Sequence, residues 1–329
     1  MSRTKTPDKY VECEPAADYN LFMISEEISF FNHGARLYGT LYRPADRRPC
    51  PALVVLHAAN GGERSYPFYQ HLVASIPALG AALLLYDRRG SGQSEGQEPA
   101  LYSTLAEDGA AAVDALRRHP GIDPQRIGLY GISQGGWLAP ETAVLRPEVA
   151  FLVIVSGCAV PPSRQVDYAA AYNLRQNGFS EAEVEKALAL RRRLHACYRG
   201  QVPRPLMAAE LDQAQSEPWF TAARLDSSQD LPLEPTADPW AQTLDYNPLP
   251  AWENLHQPTL FIFADQDRWV PVAESLAGFR QASAHMPEVA CVQIPGTDHL
   301  MQQTAGPGAG QIAVRYQDLL TAWLKKQFQ

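Results

Sequence analysis

Apolar runs without alternation recur along this chain and are separated by stretches with helical spacing. An uninterrupted apolar run is typical of a strand covered on both faces of a parallel sheet, and helical spacing between such runs is typical of crossover helices. The predicted strands are residues 51–56, 81–86, 126–131, 149–155, 259–263 and 289–294, preceded by a hairpin at 27–31 and 37–42. The predicted helices are residues 66–79, 104–118, 137–145 and 312–328. This repetition predicts an α/β fold, with a mostly parallel central sheet flanked by helices.

The series is interrupted between residues 158 and 247, where no buried-strand run occurs. Ten of the 27 prolines lie between residues 161 and 250. Ser180 and Glu183 have the pattern of a capping box, which predicts a helix that reaches Arg199. A loop of about 90 residues without structure of its own is uncommon in a compact domain. We therefore predict a helical cap at residues 158–247, inserted between two parts of one core, 1–157 and 248–329.

Composition and charge exclude several classes of protein. With 46% hydrophobic and 19% charged residues among 329, the chain can bury a core that offsets its conformational entropy, which excludes intrinsic disorder. A formal net charge of −8 argues against nucleic-acid binding, because nucleic-acid binders normally carry the opposite sign. The first twenty residues are polar, and no apolar run approaches the ~20 residues of a membrane helix. We therefore expect neither a secretory signal nor a membrane partner.

The five cysteines are scattered and form no C-x-x-C pair; they are Cys13, Cys50, Cys158, Cys197 and Cys291. This pattern favours reduced thiols in a cytoplasmic protein over a disulfide framework. It also predicts no structural zinc site and no other metal site. One of these thiols as a nucleophile is a weaker alternative to the serine described next.

Gly131, Ser133 and Gly135 form the pattern G-x-S-x-G, directly after a predicted buried strand and before a predicted helix. In such a turn the serine backbone is strained and side chains two positions away on either side would collide, which favours glycine at both. The turn would lift the Ser133 hydroxyl above the sheet at a helix N-terminus, where developing negative charge is favoured. We predict Ser133 as a catalytic nucleophile. The alternative is a glycine-rich helix start that holds a capping serine.

A serine nucleophile needs a base, and the base needs an acid that orients it. In this arrangement the acid and the base follow the serine along the chain. Asp267 lies on the loop after the predicted strand 259–263, with Asp265 as a competitor that could cap the loop instead. His299 lies on the loop after the last predicted strand. We predict Asp267 as the acid and His299 as the base.

The oxyanion formed during acyl transfer needs two backbone N–H groups as hydrogen-bond donors. Gln134, directly after the nucleophile, is predicted to supply one. The other is expected from the loop after the first core strand. We choose Ala59 there, with Ala58 and Asn60 as alternatives. His57, in the same loop, is predicted to brace it rather than to serve as a second base.

Further motifs lie around these residues, at positions 85–94, 119–128, 246–250 and 263–271. Together with the G-x-S-x-G turn, they resemble the α/β-hydrolase superfamily over residues 27–157 and 245–329. The resemblance is to the serine-hydrolase branch near dienelactone hydrolases, serine aminopeptidases and the prolyl-oligopeptidase catalytic domain. The family pattern places the acid three residues after a usual glycine, here Ala264, which supports Asp267. The chain departs from the family at Ala58, where a glycine is usual after the loop histidine.

The resemblance implies acyl transfer to water through an acyl-enzyme, with no metal or organic cofactor. We predict a serine esterase that acts on a small-molecule ester or a related acyl substrate. The alternatives are a peptidase acting on short peptides, a thioesterase or acyltransferase, and a non-catalytic binding protein on the same fold. Trp219, Phe220 and Trp240 in the cap are candidates to line an acyl pocket, or they hold the cap together. The sequence leaves the oligomeric state, including a homodimer, open.

Overall fold

The computed structural model describes residues 23–46, 48–98 and 101–329. Residues 1–22, which include Cys13 and the beginning of the first predicted core part, lie outside the described residues. The described strands are β1 (Met23–Asn32), β2 (Ala35–Pro44), β3 (Cys50–Leu56), β4 (Ala82–Tyr86), β5 (Ile122–Ile132), β6 (Leu152–Val155), β7 (Thr259–Ala264) and β8 (Val289–Ile294). They form one sheet in the order β1-β2-β4-β3-β5-β6-β7-β8.

The sheet is mostly parallel. β1 and β2 form an antiparallel hairpin and β2 pairs antiparallel with β4, whereas the other neighbours run parallel. Strands β3, β4, β6 and β7 are buried along their whole length, as their uninterrupted apolar sequences predicted. The predicted fold class is therefore confirmed. Because parallel strands end at one edge, the loops after these strands gather at the carboxyl edge of the sheet, where sites of such folds form.

Helices cover both faces of the sheet. They are α1 (Gln70–Ser75), α2 (Tyr102–Arg117), α3 (Gly135–Leu145), α4 (Pro162–Gln176), α5 (Glu181–Tyr198), α6 (Arg204–Ala214), α7 (Pro239–Thr243), α8 (Val272–Ala282) and α9 (Val314–Gln327). One apolar cluster packs α2, α3 and α8 on the sheet, and a second packs α1 and α9 on the opposite face. None of the helices among the described residues is both long enough and apolar enough to cross a bilayer.

Most predicted elements are observed within a few residues of their predicted ends. An exception is the helix predicted at residues 66–79, of which only α1 is a regular α-helix. Pro67 and Pro77 each begin a short 3-10 turn on either side of it. Pro77 lacks the N–H that a continuing helix would need, so α1 ends before it. The sequence did not predict α8.

The chain between β6 and β7 is helical, and we refer to residues 158–247 as the helical segment. The predicted capping box is present at the start of α5: Ser180 Oγ accepts the Glu183 N–H, and the Glu183 carboxylate accepts the Ser180 N–H. Gly200, with a left-handed φ of 74°, follows the end of that helix. The helical segment has an apolar cluster of its own, separate from the two on the sheet. Its role as a cap stays a prediction.

Candidate active site

Ser133 lies at the sharp turn between β5 and α3, in a left-handed conformation with a φ of 53°. For a residue other than glycine this conformation costs on the order of 1–3 kcal/mol and persists only where the surroundings hold it. Two hydrogen bonds do so here. The Ser133 N–H donates to Val155 O at 2.9 Å, and the Gly136 N–H donates to Ser133 O at 2.9 Å. The half-buried Ser133 side chain therefore starts from the carboxyl edge of the sheet.

Close backbone contacts explain the glycines on either side of Ser133. A Cβ on Gly131 would lie 2.3 Å from Gly135 O, and a Cβ on Gly135 would lie 2.0 Å from Leu56 O. Both oxygens belong to the backbone, so neither can rotate aside as a side chain could. The G-x-S-x-G pattern thus reflects how tightly the turn packs against itself and against the end of β3.

Asp267 and His299 are joined by a hydrogen bond of 2.8 Å between His299 Nδ1 and Asp267 Oδ2. The Asp267 side chain is completely buried, while 13% of the His299 side chain is exposed. Asp267 Oδ1 accepts the backbone N–H groups of Trp269 at 2.8 Å and Val270 at 3.0 Å. A carboxylate only accepts hydrogen bonds, so it holds the proton of the neutral imidazole on Nδ1 and leaves Nε2 as the basic nitrogen.

The competing carboxylate, Asp265, has a different position. It is exposed, and its Oδ1 accepts the Thr297 N–H at 3.1 Å. This is the loop-capping role that the sequence left open for it. The geometry therefore favours Asp267 as the partner of His299.

Two residues that sequence reasoning missed fix the backbone of this pair. Ser156 Oγ donates to His299 O at 2.7 Å, and the Tyr168 hydroxyl of α4 donates to Asp267 O at 3.1 Å. The sequence signal for Ser156 was a polar residue directly after a buried strand. Nothing in the sequence indicated a role for Tyr168, because α4 was not predicted and Tyr168 lies 99 residues from Asp267 along the chain.

The loops that carry Ser133 and His299 meet at the end of β6. Ser133 is bound to Val155 and His299 to Ser156, which are successive residues. Within residues 23–46, 48–98 and 101–329, the Ser133 hydroxyl has no hydrogen-bond partner. Hydrogen bonds between catalytic side chains are often long without substrate and tighten when it binds. The catalytic roles of Ser133, Asp267 and His299 stay predictions, which this geometry favours.

The loop after β3 approaches the N-terminus of α3. The Ala58 N–H donates to the Tyr69 hydroxyl at 3.4 Å, which argues against Ala58 as an oxyanion donor. The backbone N–H groups of Ala59, Asn60 and Gln134 have no acceptor in the described part of the chain. The pair predicted from sequence, Gln134 and Ala59, is therefore available to bind an oxyanion, and its role stays a prediction.

His57 is buried in this loop, with 1% of its surface exposed. Its Nε2 bonds to Tyr86 O at 2.5 Å, while Nδ1 is buried with no hydrogen-bond partner among the described residues. Burial lowers the pKa of His57 to about 4. The ring is thus neutral near pH 7 and braces the loop against β4.

The predicted substrate-lining aromatic residues differ in exposure. Trp219 and Phe220 are 4% and 6% exposed and lie inside the apolar cluster of the helical segment. Trp240, near the start of α7, is half-buried. The burial of Trp219 and Phe220 favours the alternative that they hold the helical segment together, and pocket lining by the three stays a prediction.

The described cysteines carry free thiols, three of them buried and Cys291 half-buried. Burial raises the pKa of each thiol, that of Cys158 to about 12. A protonated thiol is a weak nucleophile, so these residues compete poorly with Ser133. In the part of the chain that the structure describes, no three His, Cys, Asp or Glu side chains cluster so as to hold a metal ion.

Comparison with known sequences gives one family match and several partial ones. A model of the alpha/beta hydrolase family matches residues 53–307. Thiohydrolase aneE of Aspergillus aculeatus is 34% identical over 133 residues, which cover 39% of this chain and 40% of that protein. Quorum-quenching protein AidA of Acinetobacter baumannii is 31% identical over 136 residues, which cover 40% of this chain and 43% of that protein. The matched part thus spans about two fifths of the length of these curated relatives.

Solved structures resemble the chain over nearly all its length. The Pyrococcus furiosus esterase Pf2001 has a TM-score of 0.62 at 17% identity, covering 99% of both chains. A proline iminopeptidase of Mycobacterium smegmatis has a TM-score of 0.57 at 20% identity, covering 92% of this chain and 98% of that one. At these identities the likeness concerns the fold alone.

Proposed function

Given that the chain belongs to the alpha/beta hydrolase family, we propose that it is a serine hydrolase that cleaves carboxylic esters through an acyl-enzyme intermediate. The observation that carries this proposal is the buried Asp267–His299 hydrogen bond of 2.8 Å, at the same sheet edge as the strained turn of Ser133. Nucleophilic acyl transfer by a serine requires a base that a third group orients, and Asp267 orients His299 in this way.

In the proposed mechanism, His299 Nε2 takes the Ser133 proton as the hydroxyl oxygen attacks the ester carbonyl. The carbonyl oxygen becomes an oxyanion, held by the N–H groups of Gln134 and Ala59. The C–O bond to the alcohol then breaks, and His299 returns the proton to the leaving oxygen. Water, activated by His299, releases the acid from Ser133 by the same steps in reverse. Removing one such N–H donor typically costs about 100- to 1,000-fold in kcat.

Asp267 would act without changing its own protonation. Three donors surround its carboxylate, one from the His299 ring and two from the backbone. They hold the carboxylate beside the His299 ring, where it stabilises the imidazolium that His299 becomes during each step. The buried carboxylate also holds the imidazole in the orientation that leaves Nε2 free for Ser133.

We further propose that the helical segment covers the site and limits the size of a small-molecule acyl substrate. Support comes from two contacts of α4 with the core: the Tyr168 hydroxyl on Asp267 O, and an ion pair of Arg164 with Glu274 at 2.6 Å. Turnover of p-nitrophenyl esters of increasing acyl length tests this. We expect a sharp upper limit on length, and an activity that rises steadily to long chains would contradict the proposal.

A thioester is the second candidate substrate, favoured by the similarity to thiohydrolase aneE. The same nucleophile and oxyanion donors would serve a thioester carbonyl. Comparing kcat/KM for p-nitrophenyl butyrate, butyryl-coenzyme A and a proline p-nitroanilide would separate esterase, thioesterase and peptidase activities. We expect the highest value for the oxygen ester.

The serine mechanism itself is tested with a fluorophosphonate probe and Ser133→Ala. We expect the probe to label the wild-type chain at Ser133 and the substitution to lower kcat by at least about 1,000-fold. Ser283→Ala is a matched control, since Ser283 is also a serine but its hydroxyl donates to Phe279 O, near the end of α8, at 2.7 Å. Folded wild-type protein that is not labelled, or Ser133→Ala that hydrolyses esters at the wild-type rate, would refute the proposal.

A further inference from the structure

One guanidinium group joins both segments that carry the proposed oxyanion donors. Arg88 lies in the loop after β4, and its side chain is 13% exposed. Its Nη1 donates to Ala58 O at 3.0 Å and to Gln134 Oε1 at 3.1 Å, and its Nη2 donates to Ala59 O at 3.0 Å. We propose that Arg88 is a positioning residue for the oxyanion hole. This inference rests on the proposed function.

The contact with Ala58 O has a direct consequence for the Ala59 N–H. The Ala58 carbonyl and the Ala59 N–H belong to one peptide group, which is planar and in which the two bonds point in opposite directions. Fixing the carbonyl on the guanidinium therefore also fixes the direction of the N–H. A cation on the oxygen polarises the peptide group as well, which strengthens the N–H as a donor to an oxyanion.

Arg88 is itself held firmly by the same loop. Its backbone N–H donates to Gly62 O at 2.7 Å, and a Cβ on Gly62 would lie 3.1 Å from Arg88 Nε. On the outer side the guanidinium bonds to Glu98 Oε1 through Nε at 2.8 Å and Nη2 at 2.6 Å. The planar guanidinium group thus has a fixed orientation, with one edge bonded to the loop carbonyls and the other edge bonded to the Glu98 carboxylate.

The neighbouring arginine has a different position. Arg89 forms a buried ion pair with Asp108, through Nη2 at 2.5 Å and Nε at 3.0 Å, and also donates to Asn32 O. Those partners belong to β1 and α2, and neither is in the loop of Ala59 or in the turn of Gln134. Of the two adjacent arginines, Arg88 is therefore the one that can act on the transition state.

A group that aligns an oxyanion donor should stabilise the transition state more than bound substrate. We therefore expect Arg88→Met to lower kcat by about 10- to 100-fold, somewhat less than direct loss of a donor. KM should change by less than threefold. The Ki of an alkylboronic acid, which forms a tetrahedral adduct on Ser133, should rise by the same factor as kcat falls. Arg88→Lys keeps the charge but not the fork, so it should recover part of the loss.

Arg43→Met is the matched control for the loss of an arginine. The Arg43 side chain is 12% exposed and pairs with a Glu26 side chain that is 38% exposed, compared with 13% and 37% for Arg88 and Glu98. Arg43 follows Tyr42, which pairs with Leu83 near the start of β4. Arg43 therefore lies at the end of the sheet opposite to the site. Its removal should leave kcat and the boronate Ki within threefold of wild type. Thermal unfolding of each variant separates loss of fold from loss of alignment.

The inference is overturned if folded Arg88→Met keeps kcat and the boronate Ki within threefold, if KM alone changes, or if Arg43→Met matches its loss. Ser133-dependent hydrolysis with no effect of Arg88→Met would refute this inference and leave the proposed function intact. Absence of Ser133-dependent hydrolysis in the wild-type chain would refute both.

Discussion

Gly135→Ala adds one carbon atom where the turn that carries Ser133 contacts the end of β3. The added Cβ would lie 2.0 Å from Leu56 O and 2.7 Å from Leu56 C. Both are backbone atoms at the end of β3, where Leu56 pairs with Gly131 of β5. No rotation of a side chain can relieve this overlap, so the turn and the strand end must move apart.

The size of the movement follows from the overlap. Cβ atoms essentially never approach another heavy atom closer than 3.0 Å, so the two backbones must separate by about 1 Å. Leu56 leads directly into the loop of Ala59, and Gly135 directly follows Gln134, so the separation falls between the two proposed oxyanion donors. A misplacement of about 1 Å costs roughly 100-fold in rate. Overpacking of this kind costs about 3 kcal/mol. Because the entropy of unfolding is about 2.1 cal/mol/K per residue, this cost corresponds to a Tm lower by roughly 4 °C in a chain of 329 residues.

The assay is kcat/KM for a p-nitrophenyl ester together with thermal unfolding of the same preparation. Gly121→Ala is the control, because its Cβ would lie 2.4 Å from Arg43 Nη1, the end of a flexible side chain that can move away. We expect wild-type activity and nearly wild-type Tm for that control. A Gly135→Ala variant with wild-type Tm and kcat/KM within threefold of wild type would refute the argument that this contact sets the turn.

Two further predictions concern the acid of the site and a buried imidazole. Asp267→Asn should lower kcat for ester hydrolysis by roughly 10,000-fold, because a neutral amide neither stabilises the His299 imidazolium nor fixes its tautomer; a loss below tenfold would contradict this. Burial lowers the pKa of His57 to about 4, so between pH 6.5 and 4 only the unfolded chain binds a proton at this residue. The fold should therefore lose stability as the pH falls through this range, by up to about 3 kcal/mol. In His57→Gln, the free energy of urea unfolding should therefore depend less on pH between pH 7.5 and 4.5. Part of the dependence should remain, because burial also lowers the pKa of His71 and of His195 to about 4.

These two predictions have their own controls. Circular dichroism and Tm should show that Asp267→Asn remains folded, so that its loss is assigned to chemistry. For His57, the free energy of unfolding above pH 6.5 is the reference, because above that pH His57 is mostly neutral in both the folded and the unfolded chain. An unchanged slope of unfolding free energy against pH in His57→Gln would contradict the assignment.

Local features of the fold were predictable because their causes lie in neighbouring residues. The buried strands follow from uninterrupted apolar runs, and the capping box at Ser180 from residues three positions apart. Helices α4, α6 and α8 were missed, as each starts from a proline-containing turn without a capping side chain. The shortened α1 shows that a helical apolar spacing does not carry the helix through Pro77.

The sequence by itself determined the α/β fold class and located the turn of Ser133, because doubly covered strands leave uninterrupted apolar runs and the turn is marked by glycines on either side of the serine. Only the tertiary structure shows which carboxylate meets His299, since Asp265 and Asp267 lie two positions apart in the loop after β7, and the path of that loop leaves Asp265 exposed and buries Asp267 against His299. The same holds for the guanidinium of Arg88, which reaches Gln134 across 46 positions. Such contacts form only when parallel strands bring their carboxyl ends to one edge of the sheet.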